Sequence, residues 1–111
     1  SLGFHSHNSL QLSFSNTKTL LKMGIKREII IDSCLYGMGR GAGNCPMELM
    51  TSRTPHVWSF IEKHMLSLSE QFHWGYHPAY AITGKSNKHP KSAIAFIKEN
   101  IRWKWKKLAF L

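Results

Sequence analysis

Positions Leu10, Phe14, Thr17 and Leu21 recur at helical spacing between Ser9 and Met23, and Gly24 follows as a stop, so the pattern predicts a helix. Before it, Gly3 to His7 follows a short extended pattern. After it, Glu28 to Leu35 opens on Ile29, Ile30 and Ile31, a β-branched run of the kind found in strands buried on both faces of a parallel sheet. The order is therefore β, α, β. A glycine-rich stretch, Tyr36 to Asn44, leads to Pro46 and a short helical pattern ending at Met50, which starts a second βα unit.

Beyond Arg53 the pattern changes. Thr54 and Pro55 form a cap and first-turn pair, and Val57, Trp58, Ile61, Met65 and Leu68 make the apolar stripe of an amphipathic helix. Trp74 to Ile82 is aromatic and punctuated, and Pro90 opens a last helix through Ala93, Ile94, Ile97 and Ile101. The predicted organisation is a β/α part over 1–53, a helical extension over 54–101 and a basic aromatic tail over 102–111.

Composition narrows the class. With 42% hydrophobic and 19% charged residues in 111, the chain can bury one small core, which excludes disordered and low-complexity classes. No apolar run approaches the roughly 20 residues of a membrane-spanning helix. The start carries no secretion signal and no initiator Met, as an internal cut would leave it. Cys34 and Cys45 form no CxxC pair; they read as buried or half-buried thiols in a reducing cytoplasm, with a disulfide between them as the alternative.

The formal charge of +9 is concentrated at one end. Residues 85–111 carry eight cations against Glu99 alone, a net +7. Tryptophans between cations at Arg102 to Lys107 could stack bases or lie on an anionic membrane, so a small basic module acting through 85–107 is the alternative function. A solvated tail is the plainer reading.

Two constellations could carry chemistry. On a strand, His5 and His7 project to the same side about 7 Å apart along the chain, close enough to chelate one ion. Two histidines hydrogen-bonded at a sheet end are the mundane alternative. The loop Gly37 to Asn44 has GxG, but Ala42 stands where GxGxxG requires glycine, and no GK[ST] follows. Either it brings backbone close to a ligand, with Arg40 offering a fork to a carboxylate and Asn44 an amide oxygen, or it is a tight turn.

Together the strings Phe4-His5-Ser6-His7-Asn8 through Asn16, and Tyr36-Gly37-Met38-Gly39-Arg40-Gly41-Ala42-Gly43-Asn44, are more specific than either alone. They resemble the HMG-CoA-lyase-like, or pyruvate-carboxyltransferase, superfamily of metal-dependent lyases and synthases, with the nearest likeness in its 4-hydroxy-2-oxovalerate-aldolase branch. Trp74-Gly75-Tyr76 and His89-Pro90 extend the likeness over most of residues 3–100. The resemblance implies a TIM barrel, which takes about 250 residues, so the chain is expected to be a partial barrel: the sixth and seventh βα units and a helical C-terminal extension.

It further implies that His5 and His7 ligate a divalent metal (Mn²⁺, Mg²⁺ or Zn²⁺), that Asn44 ligates or supports it, and that Arg40 meets substrate charge or anchors the loop. The implied reaction breaks or forms a C–C bond of a 2-oxo acid through a metal-stabilised enolate. The family's Asp-Arg-Glu segment, source of a third ligand, has no counterpart, and Ser9 replaces the Asp usual after the HxHN run. The expectation is thus a C-terminal fragment, inactive alone and prone to self-association through an exposed strand edge.

Overall fold

In a computed structural model, residues 1–51 and 55–99 are described. The expectations for Thr54, for Ile101 and for the basic tail fall outside them.

The β-branched run forms a strand only over Ile29–Ile31 (β2), which pairs in parallel with Leu2–Phe4 (β1) in the register Leu2 to Ile29, Gly3 to Ile30 and Phe4 to Ile31. Between them lies α1, Ser13–Lys22, four residues shorter at its start than the periodicity predicts. Gln11 accounts for the difference: at φ +58 it lies outside the right-handed helical region, so the helix begins only after it. Asn8 Oδ1 accepts hydrogen bonds from the Ser13 backbone N–H at 3.3 Å and the Ser13 hydroxyl at 2.8 Å. The face α1 buries is polar: Ser13 and Thr17 are fully enclosed, the Thr17 hydroxyl bonding to the Ser13 carbonyl at 2.7 Å, while Leu10 and Leu21 are exposed.

Ile30 corrects the expectation of burial on both faces, being 49% exposed. Side chains alternate along a strand, so Gly3 and Ile30 share one side of the sheet, and the described residues leave that side uncovered. The slab is only 17 Å thin in its shortest dimension.

After β2 come a single 3-10 turn, Leu35–Gly37, the glycine loop and α2, Met47–Met50. The predicted amphipathic helix is a run of three pieces: α3 (Pro55–Phe60), a wider π-type turn (Ile61–Met65) and α4 (Leu66–Phe72). Ile61 and Met65 are buried with Trp74, and Val57 and Leu68 pack beside them, but Trp58 is exposed, against expectation. It stands at the edge of the roughly 100° stripe that Val57, Ile61, Met65 and Leu68 define, where a side chain stays half in solvent.

Two His-Pro pairs start the last helices, α5 (Pro78–Lys85) and α6 (Lys91–Glu99). Proline presets the first turn, and each preceding imidazole accepts a backbone N–H through Nδ1, His77 from Ala79 and His89 from Lys91, both at 3.1 Å. Ala79, Tyr80, Ala93 and Phe96 form a second core against Ala42 of the glycine loop. Burial holds the Tyr80 phenol above its ordinary pKa.

Candidate metal and substrate site

Parallel pairing sends both strands out of the same end of the sheet, so the residues after Phe4 and after Ile31 meet there. Residues 1–7 alternate strictly between exposed and half-buried, which puts His5 and His7 on one exposed side with Gly3. Their ring centres lie 4.9 Å apart with planes at 83°. Two imidazoles sharing one cation through bonds of about 2.1 Å, at tetrahedral to octahedral angles, have centres about 4.5 to 5.3 Å apart. That spacing accommodates a shared divalent cation, and it is equally the spacing of an edge-to-face ring contact. His5 Nδ1 lies 3.2 Å from Asp32 Oδ2, a side chain that the sequence reading passed over. Only the register reveals it: Asp32 follows Ile31 as His5 follows Phe4, and those two are paired.

The glycine loop folds back onto the histidine segment. Asn8 N–H donates to the Gly43 carbonyl at 2.9 Å, and His7 and Asn44 form an antiparallel bridge, so the two residues are backbone neighbours. The Asn44 amide nitrogen donates to the Met38 carbonyl at 3.1 Å and contacts Cys34 Sγ at 3.9 Å, and its Oδ1 carries no hydrogen bond among the described contacts. Gly43 has φ +86 and Gly37 φ +62, and a side chain at Gly43 would occupy the Gly37 carbonyl. No phosphate cradle is needed to explain these glycines.

Arg40 is exposed and lines, with His7, Asn16, Gly43, Lys88 and His89, an open cleft of about 700 Å³. Both cysteines are free, with Cys45 fully buried. Glu48, also missed, is buried at 4% exposure. Its carboxylate accepts the Tyr36 N–H at 2.9 Å while the Trp74 indole N–H donates to the Tyr36 carbonyl at 2.9 Å, clamping Tyr36 at φ +53. Among the described residues no group of three or more His, Cys, Asp and Glu side chains is arranged to hold a metal.

The profile of the HMGL-like family matches residues 1–57, more than half of the sequence, and the chain belongs to that family. Among its relatives are proteins named 4-hydroxy-2-oxovalerate aldolase. That of Desulfitobacterium hafniense is 47% identical over 51 residues, 46% of this chain and 14% of the relative. That of Burkholderia thailandensis is 34% identical over 71 residues, 61% of this chain and 20% of the relative. The crystal structure of the N-terminal domain of an inferred aldolase from Bacteroides vulgatus superposes with a TM-score of 0.69 at 35% identity, over 86% of this chain and 34% of that one. The chain thus spans a fifth or less of these curated relatives' length. Among the described residues no helix is long and apolar enough to cross a membrane.

Proposed function

We propose that the chain carries the paired-histidine part of a divalent-cation site in an aldolase-type lyase acting on 2-oxo acids, on two βα units of a TIM barrel and a helical extension. The observation behind this is the His5 and His7 ring pair at 4.9 Å and 83°, at the carboxyl end of a parallel sheet and bridged to Asn44. His5 and His7 would hold the cation and Asn44 Oδ1 would ligate or support it. A cation so held supplies Lewis-acid polarisation of a substrate carbonyl oxygen. Arg40, free of carboxylate partners among the described residues, offers a planar fork to the substrate carboxylate from the wall of the same cleft. The glycine loop keeps these groups in register by its bonds to Asn8 and its bridge to His7. The free thiols suit a reducing cytoplasm.

With two imidazoles, the isolated chain is expected to bind metal weakly and to lack lyase activity by itself. Calorimetric titration of Mn²⁺ and Zn²⁺ should show weak binding that the His5→Ala, His7→Ala double variant loses; equal binding by both proteins removes the metal reading. The sheet side at Ile30 and the edges of β1 and β2, open among the described residues, are expected to drive self-association. Sedimentation velocity should show larger species as concentration rises, reduced in Ile30→Lys, and a concentration-independent monomer would refute this.

A further inference from the structure

We infer that Asp32 is the positioning residue of this site: its carboxylate fixes His5 in the Nδ1–H tautomer and so presents Nε2 as the cation donor. The inference rests on the metal reading above, and it starts from the sheet register. Phe4 faces Ile31 across the ladder, and the Asp32 N–H bonds to the Phe4 carbonyl at 3.0 Å, so the next residues, His5 and Asp32, leave the sheet side by side. Both belong to the exposed side that carries His7. No freedom of sequence is left in this pairing: shifting either strand by one residue would turn its side chain to the other side.

The chemistry then follows from what each atom can do. An ionised carboxylate only accepts, so the 3.2 Å contact between Asp32 Oδ2 and His5 Nδ1 requires the proton on Nδ1. A neutral imidazole carries one N–H, and with it on Nδ1 the lone pair is on Nε2. A metal-ligating histidine commonly donates its other ring N–H to a carboxylate, which fixes the ring and raises its basicity. Nothing else among the described contacts performs that task. His5 lies beyond the end of β1, its side chain is 49% exposed, and its recorded side-chain partners are Asp32 and the ring of His7. Packing does not set its orientation. His7 is placed differently, through its backbone bridge to Asn44. The pair thus has two separate supports, a carboxylate for one ring and the glycine loop for the other.

Asp32 is itself 63% exposed, so its removal is expected to leave the fold intact and to weaken cation binding by about tenfold, the low end for a carboxylate behind a metal-bound imidazole. Long-range ¹⁵N–¹H spectra of the metal-free chain read the tautomer directly, and Zn²⁺ calorimetry reads the affinity. Wild type should show His5 as Nδ1–H. Asp32→Ala should move it toward Nε2–H and weaken Zn²⁺ binding. Asp32→Asn, which keeps an acceptor oxygen in place, should retain the tautomer and most of the affinity, a rescue that a merely structural role would not predict. An unchanged His5 tautomer in Asp32→Ala overturns the inference, as does a changed tautomer with unchanged Zn²⁺ affinity. If wild type binds no Zn²⁺ at all, the paired-histidine reading fails, and the metal-free tautomer still decides whether Asp32 orients His5.

Discussion

Gly43→Ala is expected to destabilise the chain by about 3–5 kcal/mol, combining left-handed backbone strain with overpacking. Gly43 holds φ +86, and a Cβ there would fall on the Gly37 carbonyl, whose oxygen accepts the Asn44 N–H at 2.9 Å. Neither carbonyl nor loop can step aside without breaking that bond and the bridge that keeps Asn44 beside His7. Gly24 is the control: it has φ +68 but open space around its missing side chain, so Gly24→Ala carries strain alone, about 1 kcal/mol. Urea unfolding of the two variants separates the terms. Equal losses would show that the close approach at Gly43 does not matter.

Trp74→Ala is expected to cost a similar 3–5 kcal/mol, from loss of a buried aromatic and the cavity left behind. Trp74 closes the core of Ile61 and Met65, and its indole N–H is one of the two clamps on Tyr36. Trp74→Phe keeps much of the apolar volume and drops the donor, so about 1–2 kcal/mol should be lost. If Trp74→Phe costs as much as Trp74→Ala in urea, the hydrogen bond rather than the packing carries the effect. A free Trp74→Phe would mean the opposite, that the Tyr36 turn stands without this clamp.

The parts of the site that a linear reading finds are those whose chemistry and spacing are local. His5 and His7 alternate onto one side within a single strand exit, and the glycines of 37–43 announce a backbone that side chains would obstruct. Asp32 and Glu48 were not found because each meets its partner across the fold, 27 residues away in the case of His5 and 12 in the case of Tyr36. Single carboxylates in a sequence carry no mark of which backbone or ring they will face. The fold was legible in the same measure. The helices beginning at Pro55 and near Pro90 follow from proline and apolar spacing, whereas α5 was hidden in an aromatic stretch, and the first turn of the predicted early helix was lost to the left-handed backbone at Gln11.

Sequence alone determined the β, α, β order, the paired imidazoles, the glycine loop ending in Asn44 and the family to which these belong. Those are properties of short segments, set by side-chain alternation, helical period and backbone permission. Only the tertiary structure decided that β1 and β2 pair in parallel in the register that sets Asp32 beside His5, that the loop folds back on His7, and that one side of the sheet stays open. Those depend on which distant segments touch, and the free energy of such contacts belongs to the assembled surfaces rather than to any one stretch of chain.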